Sequence, residues 1–176
     1  MLQLHETQEV FMESRAKLFG HPIHQMLIVF PLGLLATGLG LDVAYALTER
    51  QALAVAAYWN IAIGVVSGLV AAVFGLIDWL AIPAATRAKR IGLLHGLGNV
   101  VVVTLFAVAW LSRTESPLHE PRLVSLVLEI AGGLLALVTG WLGGELVDRL
   151  GVGVDSNANL DAPSSLTNGS ARPART

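Results

Sequence analysis

The residues of this chain best suited to chemistry are a pair of histidines in His21-Pro22-Ile23-His24, a third histidine in the run Gly92-Leu93-Leu94-His95-Gly96-Leu97-Gly98-Asn99, and the carboxylate of Asp78 beside Trp79. Neutral imidazole nitrogens ligate haem iron, zinc, non-haem iron and manganese, and a nearby carboxylate extends the divalent set. All of these residues border or interrupt long apolar runs, where an ionisable group is costly and points to function by default. The chain contains no cysteine. Disulfides, thiolate zinc sites, iron-sulfur ligation and covalent c-type haem attachment are therefore excluded, and any metal must be held by His, Asp, Glu or Asn.

Two ligand chemistries follow. The first is one b-type haem with His24 and His95 as axial ligands, Gly92 and Gly96 giving the macrocycle room, and Arg87 and Arg90 pairing with its propionates. The second is a divalent metal held by His21, His24, His95 and Asp78. A third use of the same groups is proton or small-solute passage with His95 and Asp78 as relays. Against it, Asp42, Asn60 and Glu129 lie toward the opposite face and leave the middle of the chain's long runs apolar. Asn99 is expected to be a structural polar group bonding between helices. Glu145 is assigned a similar structural role, at the same depth but about 140° around its helix from Gly140. Hydrolytic or transferase chemistry has no positive signal: there is no Gly-x-Ser-x-Gly elbow, no His-Glu-x-x-His pair and no glycine-rich loop after a strand. A structural or partner-binding membrane subunit is the principal alternative to a cofactor protein.

The elements that must position these groups are membrane-spanning helices. Of 176 residues 54% are hydrophobic and only 14% charged, against about 25% charged in a soluble domain, and mean hydropathy is +0.66. With 11 basic and 13 acidic residues, and no basic block interleaved with aromatics, no nucleic-acid partner is expected. A bilayer core takes about 20 apolar residues in helix. Four runs qualify, Ile23–Leu47, Val55–Leu80, Ile91–Ser112 and Leu123–Val147. Their short connections predict an all-α, up-down-up-down bundle of four transmembrane helices, with the lipid bilayer as first partner and a second copy or a redox protein as the unidentified others.

Six Lys and Arg residues (Arg15, Lys17, Arg87, Lys89, Arg90, Arg149) flank the spans on the side of the termini and three (Arg50, Arg113, Arg122) on the other. The asymmetry predicts a prokaryotic inner (plasma) membrane protein with both termini cytoplasmic. Small residues at helical spacing predict the packed faces: Gly64, Gly68, Ala71, Gly75 and Asp78 on the second helix, Gly92, His95, Gly96 and Asn99 on the third, and Gly132, Ala136, Gly140 and Gly144 on the fourth. These stripes would bring His21, His24, Asp78, His95 and Asn99 to one level near the cytoplasmic face. Residues 1–20 read as a cytoplasmic arm, either an interfacial helix on Val10, Phe11, Leu18 and Phe19 or a poorly ordered segment, residues 21–154 as the transmembrane domain, and residues 155–176 as a disordered tail.

The segments GHPIHQMLIVFPLGLLATGLGLD, AAVFGLIDW, GLLHGLGN and GWLGGELVDRLGVGV, in that order, resemble the prokaryotic membrane-protein family catalogued as domain of unknown function 2231, over roughly Gly20 to Val154. The resemblance implies a small four-helix membrane domain and carries no established activity. Its pattern falls on His21, Pro22, His24, Phe30, Pro31, Gly33, Asp78, His95, Asn99, Gly143 and Gly144. Two positions depart from it: Gln25 stands in place of a second proline, and Leu150 in place of a histidine.

Overall fold

A computed structural model describes residues 11–167, and its frame is four long helices. They are α1 (Ile23–Thr48), α2 (Gln51–Ala81), α3 (Arg87–Leu111) and α4 (Leu123–Arg149), each long and apolar enough to cross a membrane. Their ends lie within about four residues of the expected ones, since end residues fray in and out of the helical count. The irregular turn at Ile28 within α1 has a cause three residues on. Pro31 has no N–H to offer the Leu27 carbonyl, and its ring crowds that oxygen.

Each connection is built by a local device. Glu49, in left-handed conformation at φ 55°, turns α1 into α2 across two residues. Between α2 and α3, Ala85 is left-handed at φ 63°. Thr86 then caps α3, its hydroxyl accepting from the Lys89 N–H at 3.1 Å. Lys89 also locks the corner: its ammonium donates to the Trp79 carbonyl at 2.7 Å and lies 3.9 Å over the Trp79 ring, whose Nε1 donates back to the Lys89 carbonyl at 3.1 Å. The last five residues of α4, Glu145–Arg149, widen into a π-helical turn.

The helices pack as two antiparallel hairpins, α1 with α2 and α3 with α4, joined along α2–α3 and closed more lightly along α1–α4. The apolar core is thin: Leu35, Ile61, Val65, Val102 and Phe106, flanked by Leu39, Val103, Trp110 and Leu135. Leu32, Leu69, Val100 and Leu137 instead face outward, each well over half exposed, as lipid-contacting side chains are. The small-residue rule explains the close contacts. A β-carbon at Gly64 would stand 2.7 Å from Leu35 Cδ2, and one at Gly132 2.8 Å from Phe106 Cε2.

The predicted stripe holds on α2 and fails in part elsewhere. Gly96, Gly140 and Gly144 are exposed with open space where a side chain would go. On α4 the inward positions include Ser125, Glu129, Gly132, Gly133, Ala136, Thr139 and Gly143. Gly140 and Gly144, eight and twelve residues from Gly132, drift off the face because each step of four residues overshoots one 3.6-residue turn.

From Phe11 to Gly20 the chain takes neither a helix nor a featureless course. It runs extended and folds into a small hairpin, β1 (Lys17–Leu18) against β2 (His21–Pro22), with Phe19 left-handed at φ 50°. Val10, the first residue of the anticipated apolar face, lies outside the described residues, as do 168–176 of the tail. The described tail, 155–167, is exposed and proceeds by turns. It touches the arm where Ser156 donates to Glu13 and where Ser165 meets His21.

Candidate functional site: two facing imidazoles

His24 and His95 converge. Their ring centres lie 6.4 Å apart with the planes at 89°, and each ring is held in the same way by the hairpin to which it belongs. His24 Nδ1 lies 2.9 Å from the Ala71 carbonyl on α2, and His95 Nδ1 lies 2.8 Å from the Thr139 carbonyl on α4. A carbonyl only accepts, so Nδ1 carries the proton in both rings and Nε2 keeps the lone pair. Four residues after each acceptor, on the same face one turn along, sits a glycine that the imidazole occupies. A β-carbon at Gly75 would be 2.8 Å from His24 Cε1, and one at Gly143 3.1 Å from His95 Cε1. The two hairpins thus repeat one device: a histidine near the start of the first helix, and a carbonyl and glycine four apart on the second.

Asn99, one turn past His95, ties this arrangement to α4. Its amide nitrogen lies 2.9 Å from the His95 carbonyl and 3.2 Å from His95 Nε2, and its oxygen accepts from the Thr139 hydroxyl at 3.0 Å. Thr139 is buried and fits only because Gly98 passes it, a β-carbon there meeting Thr139 Cγ2 at 2.5 Å. Asn99 thus bonds across from α3 to α4.

The other candidates lie elsewhere. Asp78 faces the N-terminal arm, its carboxylate accepting from the Ser14 hydroxyl at 2.8 Å and from the backbone N–H groups of Arg15 at 2.8 Å and Ala16 at 3.4 Å. His21 sits in β2 with Nε2 3.2 Å from the Ser165 hydroxyl. Among the described residues no three His, Asp or Glu side chains come together as a metal-holding group. The four-residue set His21, His24, His95 and Asp78 is therefore not assembled. A sequence-level depth estimate could not see that Asp78 is taken by the arm, or that Pro22 and the strand pairing turn His21 outward.

Gly92 is buried against Trp79, whose Cδ1 a β-carbon would meet at 2.8 Å, so it serves the α2–α3 corner and not the imidazoles. Gly96 faces open space. Arg87 pairs with Glu145 at 2.6 Å at the edge of the bundle, and Arg90 is exposed. Glu145 reaches that partner from the first position of the π-turn.

A second polar group lies at the other end of the bundle. Arg113, two residues past the end of α3 and counted above among loop charges, is 1% exposed, and Asp42 and Glu129 are 0% exposed. Arg113 Nη1 donates to Asp42 Oδ2 at 2.8 Å, and Nη2 stands 3.9 Å from Glu129 Oε1. Tyr58 lies over the guanidinium at 5.9 Å and stacks on His119 at 3.9 Å, the planes 9° apart. Asp42 and Glu129 are visible in sequence as charges within apolar runs. Arg113 is not distinguishable from a loop cation, because only the fold returns the chain end over the bundle.

No curated protein and no solved structure matches this chain. The family model described as "Predicted membrane protein (DUF2231)" matches residues 20–156, a stretch that includes all four helices and both polar groups, so the chain belongs to the DUF2231 family of membrane proteins.

Proposed function

We propose that this chain is a redox module of a prokaryotic plasma membrane, termini cytoplasmic, which holds one b-type haem between His24 and His95. The observation that carries this reading is the spacing of the two rings. Metal–imidazole bonds are about 2 Å long, so two imidazoles on opposite sides of one iron have ring centres about 6 Å apart, whereas two ligands of one tetrahedral ion bring them to about 5 Å. The 6.4 Å separation fits the first arrangement.

The donor chemistry fits as well. Both Nδ1 protons are committed to backbone carbonyls, the usual second contact of a ligating histidine, which leaves the His24 Nε2 lone pair for metal and that of His95 once the Asn99 amide at 3.2 Å gives way. Gly75 and Gly143 keep space against each ring where a side chain would displace it. Of the two cations expected at the rim, Arg90 would meet a propionate, while Arg87 is engaged by Glu145. Asn99 Nδ2, close to His95 Nε2, would keep only its bond to the His95 carbonyl. Haem held in this way supplies one-electron transfer, which implies a donor and an acceptor at the membrane.

The same bonds favour a second reading, in which His24 and His95 only latch α1 to α2 and α3 to α4. Expression in haem-supplied cells and purification in mild detergent separate the two. A Soret band lost in His24→Ala and in His95→Ala supports the haem module. A colourless protein, with both variants as well folded as the parent, leaves the latch.

A further inference from the structure

We propose that Asp42, Arg113 and Glu129 form a proton-binding site on the side of the membrane opposite the termini, where one exchangeable proton is shared between the two carboxyl groups and rests on Glu129. The inference stands on these residues alone and is independent of the imidazole pair.

Charge comes first. Two carboxylates and one guanidinium sum to −1, and all three groups are removed from solvent. Arginine does not give up its proton, and an uncompensated buried charge is strongly disfavoured. One proton makes the cluster neutral.

Geometry says where it goes. Asp42 has the close contact with Arg113, 2.8 Å against 3.9 Å for Glu129, so Asp42 is the carboxylate of the ion pair and Glu129 the acid. Asp42 Oδ1 and both Glu129 oxygens are fully buried with no conventional partner. Both carboxyls are set against the one guanidinium of Arg113. Two carboxylates buried beside a single cation cannot both stay ionised without leaving a net charge out of water, so one of them carries a proton.

The remaining ionisable groups around the site are few. Tyr58 comes from α2, and His119 from the α3–α4 connection. Buried Ser125 on α4, bonded to Ser112 at 3.0 Å, adds a hydroxyl and no charge. His119 is partly exposed, left-handed at φ 54° and stacked on Tyr58, so the stack reaches from beside the Arg113 guanidinium to the solvent side of the connection. Asp42 and Glu129 each lie six residues from their helix ends, about 9 Å deep. A proton therefore enters from the face opposite the termini, past His119.

The test is infrared spectroscopy of the full chain in lipid vesicles. The expected result is a protonated-carboxyl C=O band at neutral pH that shifts in heavy water within the time of buffer exchange. The band should be absent from Glu129→Gln, which retains the shape and neutrality of the acid and so should fold. It should also be absent from Asp42→Asn, where the one remaining carboxyl pairs with Arg113. Absence of the band in the parent chain, or its survival in both variants, overturns the assignment. A band that resists deuterium exchange over days makes the proton a fixed structural one and overturns the exchange. A band that appears only when sodium is withdrawn identifies the ligand as a metal cation instead.

Discussion

Gly75→Ala tests the imidazole site most directly, because it adds one carbon at a position whose surroundings are known. In a helix with open space the change is favourable by about 1 kcal/mol. At Gly75 the new carbon would stand 2.8 Å from His24 Cε1 and 2.9 Å from Nδ1, well inside van der Waals contact, and the ring must move. Overpacking costs about 1–3 kcal/mol, and loss of the bond to the Ala71 carbonyl about 0.5–1.5 kcal/mol more. Offset by the helix term, the net loss is about 1–3 kcal/mol. The control is Gly96→Ala, where nothing lies within 4 Å and a gain of up to about 1 kcal/mol is expected. Equilibrium unfolding of both variants in mixed micelles should separate them by about 2–4 kcal/mol, taking the clash and the helix term together. If the haem reading holds, Gly75→Ala should also lower haem occupancy, since altering the support of a ligating histidine costs about 10- to 100-fold in affinity. Equal stability of the two variants would refute the packing argument for the histidine–glycine contact.

Two further outcomes are expected. Arg113→Met should destabilise the fold by about 3–5 kcal/mol, the usual cost of removing one partner from a buried ion pair. The same unfolding titration checks it, and a loss under about 1 kcal/mol would mean that the cluster is hydrated. At the other end, the arm should respond to acid. The Lys17 ammonium, and then the Ser156 hydroxyl and N–H, hold the Glu13 carboxyl down at about 2 from its ordinary 4.5. A depressed carboxylate contributes its stabilisation in full above pH 4.5 and loses it as pH falls through about 2. The protection of the Ser156 amide relative to its intrinsic exchange rate, the amide lying 3.2 Å from Glu13 Oε1, should therefore fall on acidification across that window and stay unchanged from pH 5 to 7.

Much of the frame could be read from the chain because hydropathy and length are local properties. The four runs and the inward face of α2 each follow from residues within a few turns of one another. The imidazole pair was partly legible in the same way, since depth along each helix follows from sequence once the helices alternate. What sequence could not supply was partnership across elements. Asp78 is the acceptor for Ser14, 64 residues away, and no periodicity links them. Gly75 and Gly143 stood among many small residues, and only contact with a ring distinguishes them from Gly96 or Gly140. Arg113 was hidden by a sound rule applied at its limit: a cation just past an apolar run reads as a loop charge. Setting it aside leaves two basic residues on that side against six on the other, so the predicted orientation keeps its sign.

The positions of the two polar groups limit what they can do together. Along α1, Leu35 falls between His24 and Asp42. Along α2, Ile61 and Val65 fall between Tyr58 and Ala71, and along α3, Val102 and Phe106 fall between Asn99 and Arg113. These side chains form the apolar core, and Gly64 and Gly132 draw the helices tight around them. Proton transfer requires a continuous chain of donors and acceptors, and the polar side chains beside this layer on α2, Asn60 and Ser67, are each bonded to their own helix at the Ala56 and Gly64 carbonyls. On the two readings proposed above, each polar group would be addressed from its own side of the membrane. A haem between the imidazoles would exchange electrons without needing such a chain, so this layer would not obstruct it as it would obstruct proton passage.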